Sequence, residues 1–403
     1  MIDLLKRIFK KRGVDRTLYA CVFILTIFGI VMIGSASIGE TASKGATYAT
    51  VNMIKQAVFV GAGYIFMIFF ARCFKTKWIQ LTSTWIIYFI GILSLFVCLL
   101  WYSKGSYAWI KLGPITIQPA EFMKLIMILF LSFHFGEIEE LCAIPKSISQ
   151  KDHDTLVIRK FWYCVLRPII AIIFVFLIVG FIQKDLGSAI ILAFICMMLF
   201  FITPRPYYSK YKKMSLVLLV IFGVVALVGM FFILKPYQLG RIYTWLNPLE
   251  DPMKNGWQLT NALIAFTKGG LFGRGFGAST QKYGYIPESH NDFIAAIIYE
   301  ELGVFGLLLF IVPYCIIIYK MFYYGTRIEQ TKSKLILYGI GILFFTHLLI
   351  NVGGVSGFIP MTGVPLLLIS SGGSSTLMAM ISLGIAQSII SKYNRQLLKE
   401  QIS

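Results

Sequence analysis

The chain has 403 residues, of which 58% are hydrophobic and 14% are charged, and its mean hydropathy is +0.78. A soluble protein could not bury this much apolar side chain, so the composition excludes a soluble globular fold and indicates a polytopic membrane protein. The formal charge of +19 could suggest a nucleic-acid-binding protein, but the cations are distributed in a way that argues against one. The seven cysteines are scattered without a CxxC pair, so we interpret them as packing residues.

Ten apolar runs are long enough for a helical span, which needs about 20 residues. The first run is expected to be a retained span rather than a cleaved signal peptide. The predicted spans cover residues 17–38, 54–71, 79–101, 119–136, 163–182, 187–203, 214–234, 292–319, 334–352 and 373–391. The predicted fold class is therefore an all-α polytopic membrane protein, with residues 1–403 forming one bundle of ten transmembrane helices.

Lysines and arginines predict the orientation of this bundle, because cytoplasmic loops carry an excess of them. With a cytoplasmic N-terminus, the inner segments hold 25 of the 37 Lys and Arg residues, the outer segments hold 11, and Lys124 lies inside a span. Residues 1–16 and 392–403 are therefore both predicted to be cytoplasmic. This bias, together with attraction to anionic lipids, accounts for much of the positive charge and argues against a nucleic-acid partner.

Residues 235–291 form the longest segment between spans, and the orientation places them outside the cell, between helices 7 and 8. Long segments in a compact bundle are commonly functional. The cations Arg241, Lys268 and Arg274 make this segment basic, which suggests an anionic ligand, although each could be a solvated surface charge. The glycine run at 269–277 follows no strand, so it predicts close backbone packing rather than a nucleotide-binding loop.

A polar run from Glu288 to Asp292 comes directly before the eighth apolar stretch. A helix that starts at Asp292 or just before it would place this carboxylate at its positive end, where the chain enters the membrane. Asp292 is then either a helix cap or a general base at the boundary between membrane and water. Glu288 and His290 could share a proton or a cation with it, although His290 alone is more simply a polar loop residue.

Glu121 and Lys124 are charged residues within the predicted fourth span. They follow Pro119, which suits the first turn of a helix, and their i,i+3 spacing predicts a pair on one face. Because charges inside a span tend to face the bundle interior, the pair is either structural or part of a site. Asp185 is interpreted as a turn residue at the outer boundary. Trp109 is either an interfacial anchor or a surface on which a sugar stacks.

Outer carboxylates, outer cations, an indole and apolar helices together would fit an amphiphile with an anionic head, such as a lipid-linked pyrophosphoryl sugar. Transfer of that sugar requires a base for the acceptor hydroxyl and cations for the departing pyrophosphate. Pyrophosphate is already a good leaving group, so a second carboxylic acid is not required. These residues are compatible with this chemistry but do not force it.

Several sequence blocks follow one another in a fixed order along the chain. They are Gly105–Ile110, Gln118–Lys124, Gln183–Gly187, Asn247–Pro252, Gly269–Gly277, Pro287–Ile294, Glu300–Gly303, Thr362–Pro365 and Ile369–Ser375. Through these blocks the sequence resembles the SEDS family (shape, elongation, division and sporulation proteins: FtsW, RodA and SpoVE) over essentially the whole chain. Three positions depart from the family's pattern: Lys184 and Leu367 replace prolines, and Ser371 replaces a tyrosine. Ala108 also stands where an arginine is common.

The resemblance implies a peptidoglycan glycosyltransferase that polymerises lipid II on the outer face of the bacterial cytoplasmic membrane. It also implies a class B penicillin-binding protein as partner, with other divisome or elongasome membrane proteins, and Asp292 as the essential acidic residue. No metal site is assigned, although a divalent cation (Mg²⁺ or Mn²⁺) near Asp292 or Glu288 is compatible with the chemistry. The candidate substrate-binding residues are Trp109, Glu121, Lys124, Arg241, Lys268, Arg274, Glu288 and His290.

Two other functions fit the same lipid: a lipid II flippase and a non-catalytic scaffold for the penicillin-binding protein. A flippase would carry polar groups along the whole bundle and often an internal repeat, whereas these charges crowd at the outer end. A scaffold would keep its function without Asp292. The Gln281-Lys282 pair favours the FtsW branch over the RodA branch, and the sequence does not decide between division, elongation and sporulation.

Overall fold

The computed structural model describes residues 13–103, 105–113, 115–136, 150–204, 206–217, 243, 245–248, 250 and 256–401. The described chain is mostly helical, with one β-hairpin. Its helices are α1 Arg16–Ile38, α2 Thr41–Lys44, α3 Tyr48–Cys73, α4 Leu81–Val97, α5 Pro119–Gly136, α6 Gln150–Phe161, α7 Arg167–Leu177, α8 Leu186–Ile202, α9 Trp257–Gly269, α10 Ile294–Arg327, α11 Thr331–Val355 and α12 Gly373–Glu400. Short 3₁₀ turns lie at Thr76–Trp78, Cys98–Leu100 and Pro206–Tyr208, and π-helical stretches lie at Trp162–Leu166 and Ile178–Ile182.

Eight helices within the described ranges are long and apolar enough to cross a membrane. A ninth candidate is a pair, Leu186–Ile202 and Pro206–Val217, bent by 115°. The predicted seventh span, 214–234, lies largely outside the described residues, so the count of ten stays a prediction. The eight helices are Arg16–Ile38, Tyr48–Cys73, Leu81–Leu100, Pro119–Gly136, Thr155–Ile182, Ile294–Arg327, Thr331–Val355 and Gly373–Glu400.

The helices divide into a buried centre and an exposed periphery. In α5, 83% of the most apolar 18-residue window is buried, and α11 and α12 are similar at 67% and 78%. In α3 the corresponding value is only 22%, and its exposed side chains are mostly apolar. An apolar outer surface suits contact with lipid, whereas the polar side chains of the centre are enclosed by other helices.

Side-chain caps and a proline set the start of several helices. The Asp15 carboxylate accepts a hydrogen bond from the backbone N–H of Leu18 at 3.2 Å and so caps α1. Asp185 caps α8 in the same way, accepting from the N–H of Ser188 at 3.0 Å, which confirms its interpretation as a turn residue. Pro119 is the first residue of α5, where its missing N–H costs nothing.

The two ends of the described chain meet at one end of the bundle. The side-chain amide of Asn394, near the end of α12, donates to the carbonyl oxygen of Gly13 at 3.0 Å. At the same end, Asp15 accepts hydrogen bonds from Lys320 and Tyr324 at 2.8 and 2.9 Å. Asp292 lies at the other end of the bundle, because its carbonyl oxygen accepts from Asn351 near the end of α11, and α11 begins close to the end of α10 that carries Lys320.

The long helix α10 is broken at Gly303, which has φ 62° and ψ −150°. A side chain at Gly303 would lie 2.5 Å from the backbone nitrogen of Gly273, and one at Gly273 would clash with the carbonyl oxygen of Glu301. This confirms that the glycine run allows close backbone packing. The predicted span over 292–319 is present as Ile294–Arg327, with a break at Gly303 that the sequence did not predict. The half-helix 294–302 ends at the glycine contact, and residues 304–327, about 36 Å long, can span a membrane alone.

A small antiparallel hairpin interrupts the otherwise helical chain between α4 and α5. Strand β1, Ile110–Leu112, pairs with β2, Ile115–Ile117. The predicted all-α fold class includes no strand, so this hairpin is a local β element that the sequence analysis did not predict. Directly after the hairpin, the N–H of Gln118 donates to the hydroxyl oxygen of Ser374 at 2.9 Å, which holds this region against the start of α12.

Candidate active site

Asp292 lies two residues before α10, against the loop that joins α11 to α12. The residue at the cap position of α10 is Phe293, so the helix begins slightly later than predicted and Asp292 does not occupy the cap position. The side-chain amide of Asn351 donates to the carbonyl oxygens of Asp292 and Val364, at 2.9 and 2.8 Å. A side chain at Gly363, which has φ 70°, would lie 3.2 Å from Oδ2 of Asp292, so the carboxylate faces this glycine closely.

Glu121 and Lys124 form a buried ion pair in α5, as their spacing predicts. Lys124 Nζ lies 2.6 Å from Glu121 Oε1, and the two side chains are 1% and 2% exposed. On its other side, Lys124 Nζ contacts Nε2 of His347 at 3.1 Å. The second carboxylate oxygen of Glu121 is buried and accepts no hydrogen bond from any described residue. A buried oxygen without a partner is costly, which suits a ligand or water in this position.

The loop containing residues 362–365, here called the α11–α12 loop, lies between Asp292 and the Glu121–Lys124 pair and connects them. His347 Nδ1 contacts the carbonyl oxygen of Pro365 at 3.0 Å, two residues after the glycine that faces Asp292. A side chain at Gly187 would contact the carbonyl oxygen of Thr362 at 3.1 Å, so the loop also packs on the start of α8. The structure therefore brings Asp292, Glu121 and Lys124, far apart in sequence, around one loop.

Polar contacts at the start of α5 and α8 form the edge of this region. Gln118 donates from Nε2 to Oδ2 of Asp185 at 2.7 Å. The neighbouring Gln183-Lys184-Asp185 turn is tied to the loop before the hairpin, since the N–H of Tyr107 donates to the Gln183 carbonyl at 2.9 Å. Trp109 is half-buried and directly precedes β1. The indole therefore belongs to a hairpin that is fixed to the same edge as Asp185.

Glu288 and His290 are held by other partners in the loop before Asp292. The Glu288 carboxylate accepts a short hydrogen bond from the Asn291 amide, and its backbone is left-handed with φ 55°. His290 Nδ1 lies 3.2 Å from Oε1 of Glu40, in the segment that follows α1, and the His290 carbonyl accepts from the N–H of Ser371 at 3.0 Å. His290 thus connects its own loop to the segment after α1 and to the α11–α12 loop.

The proximity of His290 changes the acidity of Glu40. The imidazole of His290 and then the ammonium of Lys44 lower the pKa of Glu40 to about 2, although burial acts in the opposite direction. The contact between Glu40 and Lys44 is a short ion pair, and Lys44 also donates to the hydroxyl of Tyr48 at 3.1 Å. These charges lie just after α1, outside the apolar helices.

Lys268 and Arg274 lie at the far end of the half-helix from Asp292. Both donate to the hydroxyl oxygen of Thr280, at 3.0 and 3.2 Å, and both are exposed. Arg274 is also 3.8 Å from the carboxylate of Glu300. Since Glu300 stands six residues after Ile294, the helical rise between them is about 9 Å. The third cation of the predicted set, Arg241, lies outside the described residues.

Glu300 and Glu301 form a second buried charged cluster, which the sequence analysis used only as a family block. Glu300 accepts from the backbone and hydroxyl of Thr280 at 3.0 and 2.8 Å, and also from Ser279 and the N–H of Gln281. Lys282, fully buried, lies 2.8 Å from Glu301. The Ser35 hydroxyl and the N–H of Gly277 also donate to Glu301. This cluster fastens residues 277–282 to α1 and α10.

His347 and Asn351 were not selected from the sequence, although both contact the candidate site. They stand at i and i+4 within the predicted ninth span, which places them on one helical face. Polar residues inside a span usually face the bundle interior and serve a function, so their spacing was the signal that could have identified them. Among the described residues, no three His, Cys, Asp or Glu side chains are grouped so that they could hold a metal ion.

The profile of the cell cycle protein family FtsW/RodA/SpoVE matches residues 15–396. The chain belongs to this family. It is 30% identical to stage V sporulation protein E of Bacillus subtilis over 396 residues, covering 96% of this chain and 99% of the relative. It is 33% identical to the probable peptidoglycan glycosyltransferase FtsW of the same organism over 405 residues, covering 96% and 92%.

Two solved structures have the same fold. RodA of Thermus thermophilus, a rod shape determining protein, superposes with a TM-score of 0.62 at 20% identity, covering 94% of this chain and 97% of RodA. A chain from a peptidoglycan synthase complex, described as coordinating polymerization and crosslinking, gives a TM-score of 0.69 at 22% identity and covers 94% and 98%. At these identities the two structures establish the fold.

Proposed function

We propose that this chain is a peptidoglycan glycosyltransferase that polymerises lipid II at the outer face of the bacterial cytoplasmic membrane. Membership of the FtsW/RodA/SpoVE family supports the proposal, as do relatives named as peptidoglycan glycosyltransferases. The observation that carries it is the arrangement around the α11–α12 loop, where the Asp292 carboxylate and the buried Lys124 cation approach one short segment from two sides.

In the proposed reaction, Asp292 acts as a general base on the acceptor sugar. Its carboxylate takes the proton of the attacking hydroxyl as the oxygen forms a bond to the anomeric carbon of the donor. The bond from that carbon to the diphosphate oxygen breaks, and the lipid diphosphate leaves with the bonding electron pair. Lys124 stabilises the negative charge that develops on the leaving group, in a region where surrounding helices exclude water.

The other candidate residues have roles that follow from their positions. Trp109, on the loop entering the hairpin, would stack on a sugar face at the edge of the site. Lys268 and Arg274 would attract the anionic headgroup from the far end of the half-helix, together with Arg241. Glu288 and His290 would contribute to substrate binding by shaping the loop that carries Asp292, since their side chains contact Asn291 and Glu40.

The same proposal includes a topology and a partner. Ten spans with both termini in the cytoplasm place residues 235–291, and with them the loop before Asp292, outside the cell. The contact between Gly13 and Asn394 at one end of the bundle supports an even number of crossings. Because a matched structure comes from a complex described as coordinating polymerization and crosslinking, we propose a crosslinking enzyme, a class B penicillin-binding protein, as partner.

Polymerisation of lipid II by purified protein, with and without the transpeptidase, tests the function. Asp292→Asn keeps the size of the side chain but removes the base, so we expect a folded protein that makes no detectable glycan polymer. Glu329→Gln, which removes an exposed carboxylate at the opposite end of the bundle, is the control and should remain active. Normal polymerisation by Asp292→Asn would refute the assignment, and translocation of labelled lipid II in proteoliposomes would then test a flippase.

A further inference from the structure

His347 is a second buried partner of Lys124, and no feature of the sequence pattern assigned it a role. Its side chain is fully buried, as is that of Lys124. Nε2 lies 3.1 Å from Lys124 Nζ, and Nδ1 lies 3.0 Å from the carbonyl oxygen of Pro365. The imidazole therefore stands between the buried cation in α5 and the loop that faces Asp292.

The two partners determine which ring nitrogen of His347 carries a proton. A lysine ammonium can only donate a hydrogen bond, so Nε2 must be the acceptor in its contact with Lys124. A carbonyl oxygen can only accept, so Nδ1 must carry the proton that it donates to Pro365. Both contacts form together only in the neutral Nδ1–H tautomer. A protonated ring would place a second donor, with a positive charge, against Lys124.

The contacts with Glu121 and His347 also determine where the third N–H bond of the Lys124 ammonium points. An ammonium has three N–H donors at tetrahedral angles. One is directed to Glu121 Oε1 at 2.6 Å and one to His347 Nε2, so the direction of the third is determined. Among the described residues, no other side chain or carbonyl accepts a hydrogen bond from Lys124, and the second oxygen of Glu121 is also without a donor. One donor and one acceptor therefore remain side by side.

We propose that His347 is a positioning residue that aims the third N–H of Lys124 at an anionic oxygen of the substrate's diphosphate. Its bond to Pro365 couples that direction to the α11–α12 loop, and through Gly363 to the neighbourhood of Asp292. The inference rests on the proposed function, because the diphosphate is the leaving group of that reaction. Its physical basis is that a misplacement of a charged group by about 1 Å can lower a rate by about 100-fold.

The test compares His347→Gln with His347→Leu in steady-state polymerisation of lipid II. Glutamine offers an acceptor oxygen for Lys124 and an N–H donor for Pro365, whereas leucine offers neither. We expect the leucine variant to lose kcat by about 10- to 100-fold with little change in KM, and glutamine to restore kcat to within about threefold of wild type. Equal activity of both variants, or equal losses in both, would contradict a positioning role.

A double-mutant cycle with Lys124→Met shows whether His347 acts through the lysine. If it does, His347→Leu causes no further loss in the Lys124→Met background, because the group that it positions is absent. If the loss of activity in the double variant equals the product of the losses in the two single variants, His347 does not act through Lys124 and the coupling is refuted. Loss of polymerisation in Asp292→Asn with full activity in His347→Leu would refute this inference alone and leave the proposed function intact.

Nitrogen NMR of the imidazoles supplies a measurement that does not depend on catalysis. The chain has four histidines, and His347→Gln assigns the signal by difference. We expect His347 in the detergent-solubilised full chain to be neutral with the proton on Nδ1 at neutral pH. The Nε2–H tautomer or the cationic form would overturn the inference, and this readout remains available even if the leucine variant does not fold.

Discussion

Two groups of buried charges stand at opposite ends of the half-helix 294–302, and they differ in how many of their carboxylate oxygens accept hydrogen bonds. Both oxygens of Glu300 and both of Glu301 accept hydrogen bonds from surrounding donors. Near the Asp292 end, the buried Glu121 bonds Lys124 through one oxygen, and the other has no partner among the described residues. The two regions therefore contain similar side chains, but every carboxylate oxygen has a donor in the first region and one oxygen lacks a donor in the second.

The difference indicates which buried charges support the fold and which are available to a ligand. A carboxylate whose every acceptor position is filled is fixed in place and can bind nothing more without losing a bond. A carboxylate with an unfilled buried position carries an energetic cost that a ligand or water can remove. On this comparison, the Glu300–Glu301 cluster holds the segment before α10 to the bundle, whereas the Glu121–Lys124–His347 group keeps one buried acceptor open to a ligand.

The largest expected effect is the loss of stability in Glu301→Gln. The new amide must place an N–H₂ group against donors from Ser35, Gly277 or Lys282, and the lysine is left buried without a counter-charge. We expect a decrease in unfolding free energy of about 3–5 kcal/mol, measured as a lower melting temperature of the detergent-solubilised protein. The control is Glu301→Leu combined with Lys282→Met, which removes both charges and should recover most of the loss. An unchanged melting temperature in the single variant would contradict a structural role.

The matched substitution Glu121→Gln should affect activity more than stability. Its amide oxygen still accepts from Lys124, and its N–H₂ group occupies the position where no described residue donates. Lys124 loses its counter-charge here as Lys282 does in Glu301→Gln, but the new amide of Glu121→Gln meets no opposing donor. We therefore expect Glu121→Gln to lose about 1–2 kcal/mol less unfolding free energy than Glu301→Gln. Polymerisation should fall by about 100-fold, because the acceptor beside the third N–H of Lys124 becomes a donor. If Glu121→Gln is as unstable as Glu301→Gln, the distinction between the two clusters fails.

The sequence predicted the contacts that depend on local spacing and missed those between distant residues. The Glu121–Lys124 pair follows from three residues of helical separation, and close packing follows from the glycine run. By contrast, His347 contacts Lys124 across 223 residues, and Ser35 contacts Glu301 across 266. Helical periodicity identifies which face of a span is polar, but it does not determine which other helix lies against that face.

The break in α10 was missed for a related reason. Gly303 lies in an apolar run that reads as one continuous span, and a single glycine inside a helix is ordinarily tolerated at a cost of about 1 kcal/mol. Its left-handed conformation is required only because the glycine run 269–277 packs directly on it. The hairpin over 110–117 was also missed, since each of its strands has three residues.

The smallest expected effect tests whether His290, in the loop before Asp292, contributes to the stability of the fold. His290 lies close to Asp292 in sequence, but its side chain contacts Glu40, in the segment that follows α1. The pKa of Glu40 is lowered from 4.5 to about 2, first by His290 and then by Lys44. Because the folded-state pKa is lower than the unfolded one, ionised Glu40 stabilises the fold in full above about pH 4.5, and this contribution is lost as the pH falls through about 2.

Glu40→Gln removes that titration and leaves the reacting groups in place. We expect the wild type to exceed this variant in unfolding free energy by about 1 kcal/mol at neutral pH, a modest value because Lys44 is 45% exposed and solvent screens its charge. The difference in melting temperature should shrink as the pH falls from about 5 towards 2, since the wild-type carboxylate is then neutralised too. Glu329→Gln controls for the loss of one carboxylate, and its difference in melting temperature from the wild type should not shrink as the pH falls. A constant difference across this pH range would mean that Glu40 contributes through packing, and His290 would then return to the set of groups that could act with Asp292.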